Sequence, residues 1–432
     1  MNRLRTRLRA SIASGPFVLL DFISGGLDSR ITFTRSSTAT FVGSNGLIQT
    51  AAVNAPRFDY DPVTLAAKGL LIEEQRTNIT LHSGVTAANW TAIGGTLANT
   101  GKLSPDGAAN MGRFTEDTAS TAHQMFTTAS PGLIPAATTY TASLYLAAGT
   151  RRYVVVHGGA NVNGWGVTVD TTNWTITGTY SVGLGSYISS TITNAGNGIY
   201  RVTLSGQVST AVAQAYVVVS GSLVASATAP NTTYLGDGST FFAWGAQLEA
   251  GTFTTSYIPT VASTVTRSAD VATMTGTDFS SWFNTTQGTF VTSADAIATG
   301  VNRILVGGGA LGYPSYIRTT QTGAVFDTAN VVASTNVITE APFKLATTYE
   351  SGALNACLNG AAVATGIYNG NFASLTSISL GNSGTSTLFL NGHIQQIAYY
   401  NTRLSDAQLQ ALTAPSLAIT LNLDFINGTY DA

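Results

Sequence analysis

The residues of this chain that could do chemistry are few, and their spacing assembles no recognisable reaction centre. His82, His123, His157 and His393 are scattered without metal-ligand spacing. No H-E-x-x-H, G-x-S-x-G or G-x-x-x-x-G-K occurs, and Gly307-Gly308-Gly309 lacks the Lys and the helix of a phosphate cradle, which leaves a β-turn. Glycoside hydrolysis needs two carboxylates that share a face across the scissile bond. Glu73-Glu74 and Glu116-Asp117 are adjacent, and adjacent residues on a strand point to opposite faces. The chain is therefore expected not to be an enzyme, although acids gathered from distant segments would make it a polysaccharide depolymerase.

Sugar binding asks for less: an aromatic plate for a pyranose ring, with amides and hydroxyls for its OH groups. Trp244 lies in the apolar phase of its strand and Trp90 opens a β-rich region, so both read as core. Trp165 and Trp174 sit among Asn161, Asn163, Asp170 and Asn173. That polar surround makes Trp165, Trp174 and Asn163 the expected sugar platform. Tyr313 and Tyr316, flanking Pro314 in a loop, are a second expected contact.

These side chains must be carried by strands. Short runs rich in Val, Ile, Tyr, Phe and Thr alternate with Gly, Asn and Pro, the pattern of antiparallel strands with one buried face. In Tyr200–Ser205, Tyr200, Val202 and Leu204 are expected to face a core, and Arg201, Thr203 and Ser205 to face out. One short helix is expected at 404–412, where Ser405 and Gln408 form a capping box and Leu409 and Leu412 an apolar stripe.

The 432 residues exceed one ordinary domain. Charged residues make up 9%, against roughly a quarter in typical proteins. Such a surface suits a subunit fixed in an assembly. The formal charge of −2 and the presence of only Lys68, Lys102 and Lys344 as lysines leave no basic face for nucleic acid. Cys357, the one cysteine, reads as a core residue. No apolar run reaches the roughly 18–20 residues that cross a bilayer, so no membrane partner is expected.

The opening MNRLRTRLRASIASGPFVLL places Arg3, Arg5, Arg7 and Arg9 before an apolar stretch interrupted by Gly15 and Pro16. This is read as a basic arm, either flexible or docked on an acidic neighbouring subunit. Leu20-Asp21-Phe22-Ile23-Ser24-Gly25 is almost repeated by Leu423-Asp424-Phe425-Ile426-Asn427-Gly428. Phe22 and Phe425 are read as assembly contacts in equivalent slots, such as strand addition to a neighbouring sheet, the alternative being that the tail begins a degenerate further module.

The runs FTRSSTATFVGSNGLIQTAAVNAPRFDYDP (33–62) and KGLLIEEQRTN (68–78) resemble a leader found in bacteriophage head-spike, fibre and other minor virion proteins. WGAQLEAGTFTTSYIP (244–259) with TRSAD (266–270) is similar to the closing strand and exit of their carbohydrate-binding-like sandwich. LNGHIQQIAYY (390–400) with RLSDAQLQAL (403–412) is similar to the end of a concanavalin-like or laminin-G-like sandwich.

The resulting expectation is an all-β chain with two antiparallel β-sandwich (jelly-roll) domains in tandem, an extended N-terminal leader and one short C-terminal helix. The divisions are a basic arm (1–16), an anchoring leader (17–84), a carbohydrate-binding-module-like sandwich (85–259), a linker (260–273), a concanavalin A/laminin-G-like sandwich (274–402), and a helix and strand (403–432). The resemblance implies a homotrimeric spike or fibre subunit on the particle exterior, made in the bacterial cytoplasm, with other virion proteins as partners and host-surface glycans as targets. A purely structural capsid or tail decoration is the alternative. No cofactor is expected; laminin-G-like modules can hold calcium, no compact Asp/Asn motif here supports it, and the metal is left open.

Overall fold

A computed structural model describes residues 15–127, 133–160, 162–296, 303–308, 342–367, 372–384 and 388–415, with backbone alone at 315–317, 325–326 and 330–331. The chain is nearly all β, and its sheets are antiparallel throughout. Two sandwiches account for most of it.

In the first, one six-stranded sheet runs in the order Gly185–Asn194, Ile199–Val208, Tyr140–Ala147, Thr240–Ala250, Asn110–Glu116 and Gly95–Leu103. The other runs Thr175–Val182, Asn163–Asp170, Tyr153–Ala160, Tyr216–Ser222, Gln124–Thr127 and Trp90–Ile93. Alternation puts Leu144, Val154, Val156, Val167, Val202, Leu204 and Phe241 into one core between them. Close packing there requires glycine at 206, since a Cβ would sit 2.2 Å from Cδ2 of Trp165.

The second sandwich is built from both ends of the described chain. Its larger sheet runs Ala364–Gly366, Ala353–Leu358, Phe343–Glu350, Gln287–Ala294, Gly392–Tyr400, Ala67–Ile72 and Phe58–Tyr60, and Val18–Asp21 also pairs with Gly392–Tyr400. Its smaller sheet runs Thr32–Thr34, Val271–Thr275, Ser377–Leu380, Arg303–Gly307 and Ser315–Ile317. Leu20, Phe33, Leu70 and Ile72 from before the first sandwich share one core with Met274, Phe290, Leu345, Ile378 and Ile394 from after it.

The leader is thus structural fabric of the second sandwich, and the first is inserted between two leader-side strands and their partners. Arg76–Asn78 pairs with Val265–Arg267, so the chain goes into and out of the inserted sandwich side by side. Residues 260–273, expected to be a linker, contain that return strand and the fully buried Arg267 and Asp270.

Phe22, expected at an assembly contact, is instead 1% exposed in the second core. Its strand is already used within the chain, with Leu20 opposite Ile397. Arg3, Arg5, Arg7, Arg9 and Phe425 lie outside the described residues.

The helix Asp406–Thr413 forms as its capping box predicts, with the Ser405 N–H donating to Gln408 Oε1 at 2.9 Å. Leu409 packs with Ala346, Cys357, Ala398 and Tyr400 on the outer face of the larger sheet.

Candidate binding groove

The motif residues of the leader converge on a buried ionic cluster. Arg35 comes from the FTRSS run, Arg57 from PRFDYDP, Glu73 from LLIEEQ, and Arg267 and Asp270 from TRSAD. Arg57 Nη1 is 2.9 Å from Glu73 and its Nη2 donates to Asp270, which also accepts from Arg35 Nη1 at 3.0 Å. Arg267 Nη2 lies 3.5 Å from Glu73, and all five side chains are at most 1% exposed. Burial alone would raise the Glu73 carboxyl, but Arg267 and Arg57, with a hydrogen bond from Ser256, hold it well below the usual carboxylate range. Burial likewise opposes the Arg57 charge, and Asp270 and Glu73 more than restore it. Three guanidiniums face two carboxylates.

Above this cluster lies a groove of about 640 Å³ between the leader strands and the outer face of the first sandwich. One wall is a row of hydroxyls from the Gly185–Asn194 and Ile199–Val208 strands, Ser189, Thr191, Thr193, Thr203 and Ser205, with Arg201 among them. They are there because Val202 and Leu204 take the core phase of the same strand. The predicted alternation thus holds for Arg201, Thr203 and Ser205, and their outward face is a groove wall. Tyr200 is half-buried and stacks on Trp174.

The opposite wall carries half-buried Phe41, Tyr60 and Phe253. At its end His393, from the second sandwich, is held by two carboxylates, with Nδ1 2.7 Å from Asp295 and Nε2 2.8 Å from Asp59. Lys68 Nζ sits 3.7 Å from Asp295. Burial lowers the His393 pKa, Asp295 and Asp59 outweigh that, and the net shift is upward. The groove's two carboxylates, Asp59 and Glu73, are therefore each already bonded.

The expected sugar platform is arranged differently. Trp165 is 0% exposed, enclosed in the first core with its Nε1 donating to Leu204 O at 3.3 Å. A ring closed on both faces offers no plate to a sugar, and Trp165 is corrected to a core residue. Trp174, at φ 52°, is half-buried and stacks on Tyr200 with ring centroids 3.9 Å apart, so one of its faces is taken. Asn163 Oδ1 accepts from the Leu184 N–H at 2.9 Å, which closes a turn. Tyr313 lies outside the described residues, and Tyr316 falls in the Ser315–Ile317 strand, of which only the backbone is described. Trp165, Trp174 and Asn163 do not line the groove. The signal that could have found it was the outward set Arg201, Thr203 and Ser205. Among the described residues no group of three His, Cys, Asp or Glu side chains is placed to hold a metal.

No family model matches the chain, and no curated protein matches it. Among solved structures it is similar to the CBM40 of a Ruminococcus gnavus IT-sialidase bound to α2,3 sialyllactose, at 16% identity over 31% of this chain and 84% of that one, with a TM-score of 0.23. It is similar to domain 4 of AbnA, a GH43 extracellular arabinanase from Geobacillus stearothermophilus, in complex with arabinotriose, at 16% identity over 38% and 82%, with a TM-score of 0.26. Trypanosoma rangeli sialidase is similar over 75% of this chain and 52% of its own, at 11% identity and a TM-score of 0.26. The sialidases in this set overturn the expectation that the chain is not an enzyme, while likeness at this level assigns no reaction.

Proposed function

We propose that the chain binds glycans in the groove between its leader strands and its first sandwich. The observation that carries this reading is the wall of aligned hydroxyls, Ser189, Thr191, Thr193, Thr203 and Ser205, facing half-buried aromatic rings across a cavity of about 640 Å³. Sites for small ligands commonly span roughly 300–1,000 Å³. Hydroxyl rows match the OH groups of a sugar, and aromatic rings match its apolar face.

The finer reading is a virion subunit that holds host-surface glycans, and it is supported by the resemblance of the 33–62 and 68–78 runs to phage spike and fibre leaders. A weak site is enough for that role. A millimolar contact is worth about 4 kcal/mol, and several copies on one particle gain roughly 10²–10⁴ in avidity.

The test is retention of the purified chain on a glycan array and on host envelope fractions, beside Thr203→Trp, which fills the groove from the hydroxyl wall. Binding that the substitution removes supports the proposal. Failure to retain any glycan, or binding unchanged by Thr203→Trp, overturns it.

A further inference from the structure

We infer that the groove selects an acidic glycan, with Arg201 as the residue that receives the acid group; this rests on the groove being the glycan site. Arg201 Nη2 donates to Ser143 Oγ at 3.0 Å and to Thr254 Oγ1 at 2.9 Å, and its guanidinium carbon lies 5.4 Å from the Tyr145 ring centroid. Both acceptors are neutral, with Thr254 Oγ1 in turn donating to the buried Glu249 at 3.2 Å, and the Arg201 Nε is buried without a partner.

Among the described residues no carboxylate pairs with it, unlike the other guanidiniums around the groove. The side chain is nonetheless held in place by two hydroxyls and a ring, so it is preorganised for an oxyanion that no carboxylate of the described residues supplies by direct contact. A planar guanidinium is suited to a carboxylate or another oxyanion.

The other charges nearby largely pair off. Beneath the groove, Arg35, Arg57 and Arg267 outnumber Glu73 and Asp270. At the far wall, Lys68 and His393 face Asp59 and Asp295. Buried Glu249, which accepts from Thr254 and Thr255 of the groove, offsets the surplus of the cluster, and Arg201 is left as the groove guanidinium with no carboxylate of its own. Hydroxyls on the same wall select a polyhydroxylated anion, which distinguishes an acidic sugar from a simple one.

The experiment is calorimetric titration of the full chain with a galacturonic acid trisaccharide, with the same trisaccharide reduced to neutral galactose, and with a sulfated galactose trisaccharide. An acidic form should bind about tenfold or more tightly than the neutral one, and the preference should shrink as salt rises. Arg201→Gln should abolish the preference, bringing the ratio of acidic to neutral affinity down to about one. Arg201→Lys, which keeps the charge and guards against a folding defect, should retain part of it.

Equal affinity for acidic and neutral forms, or a preference that survives Arg201→Gln, overturns the inference and leaves the glycan reading standing. No binding of any of the three overturns both.

Discussion

Arg57 and Asp270, 213 residues apart in the chain, meet in an ion pair with no solvent exposure on either side chain. The pair ties the leader to the strand that follows the inserted sandwich, and Arg57 spans from Asp270 to Glu73. Removing one member leaves the others charged and dry. Arg57→Met should therefore cost about 3–5 kcal/mol, read as a lower midpoint in denaturant. A loss below about 1 kcal/mol would show that the cluster is solvated in solution.

Stability should peak near neutral pH, for two opposite reasons. His393 has a raised pKa, so its contribution is complete below the unfolded value of 6.5 and is lost as pH rises through the higher folded value. His157, fully buried beside Tyr180, is lowered by burial to about 4, so folding is weakened as pH falls from 6.5 towards 4. That acid limb amounts to about 3 kcal/mol at most. Asp295 is held low by His393, and its share disappears only as pH falls through its depressed value, below 3.8. Unfolding curves across pH 4–9 should show both limbs, with His393→Gln flattening the alkaline one and His157→Gln the acid one.

Trp165→Ala should destabilise the first sandwich by about 3–5 kcal/mol, the cost of emptying a core site of this size. Trp174→Ala removes one ring of an exposed-edge stack and should cost less, about 1–2 kcal/mol. Melting curves for the two variants give the comparison, and equal losses would contradict the burial assigned to Trp165.

Deleting residues 15–60 removes Val18–Asp21, Thr32–Thr34 and Phe58–Tyr60 from the two sheets of the second sandwich. That variant should lose cooperative unfolding of the second sandwich. A fragment of residues 79–264 should fold, because both sheets of the first sandwich lie within it. Circular dichroism and proteolysis of the two proteins would show whether the dependence runs in that direction only.

Local periodicity made much of the fold legible. Val202 and Leu204 alternating with Arg201, Thr203 and Ser205 gave a strand and its two faces, and Ser405 with Gln408 gave the helix start. The same rule applied to Asn163, Trp165, Val167 and Val169 would have put Trp165 in the core. Its polar neighbours suggested a surface, but Asn163 and Asp170 stand at the ends of its strand and Asn173 lies in the turn after it, so they say nothing of the face at its centre. The ionic cluster was out of reach for a different reason: nothing local says that Arg57 meets Asp270. The groove was hidden because its walls come from the leader, the Ile199–Val208 strand and His393, three stretches far apart in sequence.

The neighbouring Arg76–Asn78 and Val265–Arg267 strands form a two-stranded neck beneath the first sandwich. A module joined to its host through one such stem can be exchanged as a cassette, by recombination or by grafting, while the host keeps its own sheets. Such an exchange would replace the hydroxyl wall of the groove while Phe41, Tyr60 and His393 of the host keep the other side.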